Sequence, residues 1–282
     1  MRGLLLYSDN SGHGQFSSHR DFILAELATR FDEFDVFHSL TPEDGRAAAK
    51  GACGKYDVLI VVGGDGTFHN IINAIAEEDN PPDIALFNNG TLADSGYNFG
   101  IDGSYQKAIK VIKEGSPKPV DLFKVGPTYC MFMAAIGAYS DISYKTKRGL
   151  KKDFGKLAYY GEATKEAFKD YRIRGKLVAD GVVMELDTPF LLFMNGKRIA
   201  GFNINKNALL SDGKIECFIT ERGMFNGLMN YFGKADKIEP ISAKSFKVST
   251  DSDMPWCLDG EEGEVGDIEI EVISNRLRFY SL

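Results

Sequence analysis

The stretch "YDVLIVVGGDGTFHNIINAIAEE", Tyr56 to Glu78, decides how the first half of the chain is read. It is bulky, apolar and β-branched up to Val62, the composition of a buried strand. Gly63, Gly64, Asp65, Gly66 and Thr67 then interrupt the run. Beyond them Phe68, Ile71, Ile72 and Ile75 recur at i, i+3, i+4 and i+7, which gives a helix one apolar face. Strand, glycine turn and helix in that order put helix-start N–H groups, and the positive end of the helix dipole, past the strand's carboxyl end. An α/β sheet takes its ligands there, and such a terminus attracts anions. Glycines let the backbone approach a phosphate closely or adopt positive φ, and Thr67 can cap the helix or touch a phosphate oxygen. A plain tight turn would use the same residues. Two other phosphate signatures are set aside. No GxxxxGK[ST] occurs, and "SGHGQFS" begins like GxGxxG but has Ser17 in place of the third glycine.

Around this stretch the same alternation repeats. "GLLLYS" (Gly3–Ser8) reads as a strand, Phe16–Phe31 as an amphipathic helix, and Glu33–Ser39 as a second strand. Pro42 can open the helix that follows, and Asp83–Asn89 reads as a fourth strand. Repeated βα units predict an α/β N-terminal domain, a parallel sheet in three layers, over residues 1–125. After a helix expected over Phe154–Tyr171 come short runs: "RIRGKLVA", "VVMELDT", "FLLFMNG", "KIECFITE", "KSFKVSTD", "DIEIEVIS" and "RLRFYSL". That spacing predicts a mostly antiparallel β-sandwich over residues 126–266. The last strands, about 267–282, are candidates to return to the first domain.

Composition narrows the partners. A net charge of −7 argues against a nucleic-acid binder. Cys53, Cys130, Cys217 and Cys257 form no CxxC pair, so reduced thiols are expected rather than zinc or disulfides. The N-terminal apolar run is too short for a signal core, and no stretch approaches the ~18 apolar residues of a membrane span. A cytoplasmic protein is expected, touching membrane only from its surface.

Four motifs together carry a resemblance. "VVGGDGTFHNIINAI" is similar to the nucleotide-binding signature shared by diacylglycerol, sphingosine and NAD kinases and phosphofructokinases. "NNGTLADSGYNFG" (Asn88–Gly100) resembles the diacylglycerol kinase element, "ALLSDGKIECFI" (Ala208–Ile219) the DG turn of bacterial lipid kinases, and "LDGEEG" (Leu258–Gly263) their late D-G-E. The resemblance implies an ATP-dependent kinase acting on a lipid hydroxyl such as that of diacylglycerol. It also implies an active site in the cleft between an α/β domain and a β-sandwich.

On that resemblance, Gly63, Gly64, Asp65, Gly66 and Thr67 would cradle the ATP phosphates, with Gly90, Thr91 and Asp94 lining the same site. Asp65 would orient Mg²⁺ or a hydrogen-bond network, since two anions need a cation between them. Thr41 would contact nucleotide, or cap the helix at Pro42. Asp259 and Glu261 are both candidates for the base that takes the hydroxyl proton. Two apart in an extended segment, both could face the same side of the strand or turn; a solvated acidic turn would read alike. Asp212, with the carbonyls of Leu209 and Lys214, would hold a structural Mg²⁺ or Ca²⁺, or else be a simple turn. The island of Lys145, Lys147, Arg148, Lys151, Lys152 and Lys156 within Tyr144–Tyr160 is a candidate for peripheral contact with the inner face of a membrane, or a solvated helix surface. Relatives suggest a homodimer.

The motifs also depart from the family. Ser8 and Asp9 stand where Asn-Pro is usual, Ala93 where an Asn precedes the Asp, and Tyr97 where an Arg follows it. The Tyr97 change removes a cation that could offset phosphate charge. Two alternatives therefore stand beside the lipid kinase: a kinase with a soluble acceptor, like NAD kinase, and a non-catalytic relative that binds nucleotide or lipid.

Overall fold

In the computed structural model, which describes residues 1–8, 15–88, 94–101, 104–137, 172–199, 202–220 and 239–282, apolar strands alternate with helices through the first part of the chain. The order is β1 (Arg2–Tyr7), α1 (Gln15–Ala28), β2 (Glu33–His38), α2 (Pro42–Ala52), β3 (Val58–Gly63), α3 (Asp65–Ile75), β4 (Asp83–Asn88), α4 (Asp94–Tyr97), α5 (Tyr105–Glu114) and β5 (Ser116–Val125). It continues with β6 (Thr128–Cys130), β7 (Met133–Gly137), β8 (Ile173–Ala179), β9 (Val182–Thr188), β10 (Phe190–Met194), β11 (Arg198–Ile199), β12 (Phe202–Asn203), β13 (Ile215–Ile219), β14 (Ile241–Ala243), β15 (Ser245–Thr250), β16 (Pro255–Leu258), β17 (Glu261–Val265) and β18 (Ile268–Ser281). The helix expected over Phe154–Tyr171 and the basic segment Tyr144–Tyr160 lie outside the described residues.

The chain forms two compact units, Met1–Val120 with Asn275–Leu282, and Asp121–Ser274. In the first, the strands run parallel in the order β2-β1-β3-β4, and Phe279 near the end of β18 lies beside Ile84 of β4. β3 is buried along its whole length, as a strand covered on both faces must be. Helix α1 packs on α5, and α2 packs on α3. From β1 the chain moves first to one side, to β2, and then crosses to the other, to β3. The carboxyl ends of β1 and β3, in register at Tyr7 and Val62, therefore form the topological switch point where such sheets bind ligands. Phe68, Ile71, Ile72 and Ile75 are all buried, and each such side chain contributes about 1.5–3 kcal/mol.

Among the described residues of the second unit, the strands of its two sheets pair antiparallel. One sheet runs β14-β13-β10-β7-β16-β17; the other joins β9, β8 and β15 to the first part of β18. A single core cluster draws Phe193 of β10, Cys217 of β13, Leu177 of β8, Phe246 of β15 and Trp256 of β16 together, so the two sheets close on each other as a sandwich. The two runs read at 267–274 and 276–282 are one continuous strand, β18, with Asn275 at a φ of 54° inside it.

Candidate active site

The glycine loop opens α3 with Gly64 as N-cap, extended at φ −102° and ψ −176° and offering no side chain. Its carbonyl accepts from the N–H groups of Thr67 and Phe68. The amides of the helix's first turn have no earlier turn to bond to, which is the geometry an anion uses. Thr67 sits in the first turn and is not the cap. Its side chain folds over Gly63, where an added Cβ would lie 2.5 Å from Thr67 Cβ. Gly63, Gly64 and Gly66 are all absent from the positive-φ positions. Gly63 is thus required for space rather than for a left-handed backbone.

Asp65 turns from this first turn towards α4. Its Oδ1 accepts from the backbone N–H of Ser95 at 3.1 Å and from the Ser95 hydroxyl. Ser95 is fully buried and Asp94 nearly so. The loop and the acidic end of α4 are thereby fixed to one another, and two carboxylates gather beside the helix start. Gly90 and Thr91 lie outside the described residues. Thr41 forms a capping box: its hydroxyl oxygen accepts from the Asp44 N–H at 3.1 Å, and the Asp44 carboxylate accepts from the Thr41 N–H at 2.9 Å.

In the second unit the D-G-E motif is a tight hairpin rather than an extended segment. Asp259 and Gly260 take φ values of 49° and 92° between β16 and β17, with Leu258 paired to Glu261, the pattern of a two-residue type I′ turn. The two acids differ in their surroundings, one buried and the other exposed. Asp259 is buried, and its carboxylate accepts backbone N–H bonds from Met131, Phe132 and Met133 at 2.7, 2.9 and 2.9 Å. Its own N–H donates to the Met133 carbonyl. Burial first, and then the Asp259 charge, pushes the neighbouring Cys130 thiol well above the usual range. Glu261 is exposed at the start of β17.

At the third motif, Asp212 Oδ1 accepts from the Lys214 N–H at 3.1 Å, and Leu209 is exposed. Two further polar residues support this turn and were not singled out from sequence. Asp121, fully buried, takes the Gly213 N–H at 2.6 Å and gives its own N–H to Leu210. Asn195, also fully buried, donates to the Asp121 carbonyl at 2.6 Å, while its Oδ1 has no hydrogen-bond partner among the described residues. The signal available was an acid set in the apolar run "VDLF". Among the described residues no three His, Cys, Asp or Glu side chains gather to hold a metal. Any cation at Asp212 would therefore rest on one carboxylate, carbonyls and water.

Known proteins resemble this chain over nearly its whole length. The model of the "Diacylglycerol kinase catalytic domain" matches residues 2–125. A curated "Diacylglycerol kinase" from Staphylococcus saprophyticus is 30% identical over 93% of this chain and 89% of its own length. One from Staphylococcus aureus strain MRSA252 is 30% identical over 93% of this chain and 86% of its own. The crystal structure of a diacylglycerol kinase from Bacillus anthracis str. Sterne superposes with a TM-score of 0.85 at 23% identity, covering 100% of this chain and 97% of that one. That structure bears on the fold; the near full-length match at 30% identity bears on kinship, and the chain belongs to the diacylglycerol kinase catalytic-domain family.

Proposed function

We propose that this chain is a lipid kinase that transfers the γ-phosphoryl group of ATP to a lipid hydroxyl of the diacylglycerol kind. The observation that carries the reading is the Asp65–Ser95 tie. It locks a glycine-lined helix start at the sheet's switch point to a second acidic element, in a chain whose relatives along nearly its whole length are named diacylglycerol kinases.

In this reading the amides of Gly64, Asp65 and Gly66, with the Thr67 side chain, hold the phosphates. Thr41 keeps its capping bond and has its hydroxyl hydrogen left for the nucleotide. Asp65 and Asp94 are oxygen donors of the kind a hard divalent cation takes, so the residues fit MgATP, which supplies the electrophilic γ-phosphorus. Asp212, with the carbonyls of Leu209 and Lys214, suits a second, structural Mg²⁺ or Ca²⁺. Glu261 is the base: exposed and unburdened by the amide cradle that occupies Asp259, it accepts the hydroxyl proton as the lipid oxygen bonds to phosphorus and the bond to ADP breaks. Asp259 holds the turn that presents it. Among the described residues no helix is long and apolar enough to cross a membrane. The basic segment Tyr144–Tyr160 is the part we assign to meeting an anionic lipid surface.

The test is transfer of label from γ-labelled ATP, with Mg²⁺, into mixed micelles of extracted bacterial lipid, beside Asp65→Ala and Glu261→Gln. Label entering a single lipid and lost in both variants is expected. Label entering a soluble acceptor such as NAD would replace the substrate class, and none anywhere would leave a nucleotide or lipid binder.

A further inference from the structure

The connections that leave the carboxyl ends of β1, β2, β3 and β4, residues 8–14, 39–41, 64 and 89–93, contain no Lys or Arg. Neither does the loop-and-helix stretch 62–70 nor α4 with its exit, 94–101, where Tyr97 stands. What does gather there is negative: Asp65 and Asp94, with Glu43 and Asp44 in the first turn of α2. A nucleotide carries several further negative charges. Sites that hold phosphates commonly set a guanidinium or ammonium against them, and a divalent cation alone leaves part of that charge unmatched.

One arginine is already wired to the loop. Arg46, in the second turn of α2, donates through Nη1 to Asn70 Oδ1 at 3.3 Å and through Nη2 to Glu43 at 2.5 Å. Asn70 in turn donates to the Gly66 carbonyl at 2.8 Å. The guanidinium is thus two hydrogen bonds from a glycine of the loop, held by a side chain of α3 itself. Gly45 lets α2 come this near: a Cβ there would meet Ser39 Oγ at 3.2 Å and Ile71 Cδ1 at 3.7 Å. Arg46 is only partly covered, its side chain 37% exposed, so the fork can leave Glu43 for a stronger acceptor. Among the described residues, three other cations stand in the first two turns of helices in this unit. Arg20 is bonded to Tyr7 and Asp21, and Lys107 and Lys110 are on α5; α1 and α5 pack on each other, whereas α2 packs on α3, the helix of the loop itself.

We propose that Arg46 is the cation of the nucleotide loop, holding the β- and γ-phosphates in place of the arginine that Tyr97 does not supply. The inference rests on the kinase reading and adds a positively charged residue, reached from a helix outside the glycine motif. A guanidinium poised by Asn70 and Glu43 is oriented before the nucleotide arrives, so little side-chain freedom is lost on binding.

Calorimetric binding of MgATP, MgADP and AMP to the full chain separates the possibilities, using wild type, Arg46→Ala, Arg46→Gln, Arg46→Lys and Lys50→Ala, the last in the final turn of α2, where Lys50 pairs with Glu78 at 3.1 Å. Both neutral Arg46 variants are expected to weaken MgATP and MgADP about ten-fold, the size of one charge-assisted hydrogen bond, and to change AMP less than about two-fold. Lys at 46 should recover part of the loss, and Lys50→Ala should bind as wild type. Arg46 variants that bind MgATP normally would reduce the residue to a tie between two helices and overturn the proposal. Equal weakening of AMP would overturn it as well, since that marks a distorted loop; so would an equal loss in Lys50→Ala, which marks a diffuse field. Wild type that binds no MgATP would instead sink the kinase reading on which this rests.

Discussion

The second unit contains the same local device twice. Asp180-Gly181 joins β8 to β9 with φ values of 44° and 89°, and Asp259-Gly260 joins β16 to β17 with 49° and 92°. In each, the aspartate reaches out of its own hairpin to the beginning of another strand. Asp180 takes the N–H groups of Lys244 and Ser245 at the start of β15 and returns its N–H to the Ser245 carbonyl. Asp259 does the same with Met131 to Met133 at the start of β7. The surroundings differ: Asp259 is buried, and its turn is followed by Glu261, whereas Asp180 is followed by the exposed Val182. A carboxylate gathering backbone amides is therefore a fastening in this fold, not in itself a mark of chemistry. The residue after the turn is what sets the second hairpin apart.

That contrast can be broken most directly at Glu261. Glu261→Gln is expected to lower phosphoryl transfer by about 10²–10⁴-fold, the usual contribution of a general base, with the melting temperature unmoved. Asp259→Ala should show the reverse emphasis. Removing the acceptor leaves three amides at a buried site without it, costing about 3 kcal/mol or more in chemical denaturation, and activity should follow the folded fraction. Asp259→Asn keeps an acceptor oxygen and favours the same turn, so it should retain more activity than Glu261→Gln. If Asp259→Asn is stable yet the more impaired of the two, the roles are exchanged. Asp180→Ala should cost less stability than Asp259→Ala and leave turnover unchanged, since its amides face solvent.

The smallest effect expected is one of pH. The Lys244 N–H foremost, helped by Ser245, holds Asp180 below the ordinary carboxylate value of 3.8. The charged form is favoured in the folded chain, so this stabilisation is present above pH 3.8 and is lost as pH falls through the lowered folded value. Thermal melts from pH 6 to pH 3 should find Asp180→Asn losing less stability than wild type over the acid end. Parallel curves would mean that the turn residue, not its charge, matters there.

Periodicity read the four parallel strands and the first three helices, but not α4 or α5, from sequence because each element it read is a local pattern: β3 is uniformly apolar, and the buried face of α3 repeats every turn. Strands β5 to β7 were passed over, since "DLFKVGPTYCMFMAAIG" alternates poorly and carries its turn inside an apolar run. Asn275 and Arg276 looked like a break, but the strand runs through them. The glycine loop was equally legible as a local motif. The hydrogen bonds of Asp259 span 126 to 128 residues and those of Asp121 to Gly213 span 92, and no spacing rule reaches so far. Arg46 escaped notice for the same reason, as it meets Asn70 24 residues away.

Strand β18 has a consequence for biosynthesis. The first unit takes its edge partner for β4 from the final residues of the chain, with Phe279 buried beside Ile84 and Arg276 donating to the Ala76 and Glu78 carbonyls. A ribosome making roughly 5–20 residues per second reaches those residues only after the entire second unit has emerged. The nascent first unit therefore waits with a bare strand edge, an interval in which a chaperone, or a neighbouring nascent chain, can occupy the place that Asn275–Leu282 fill.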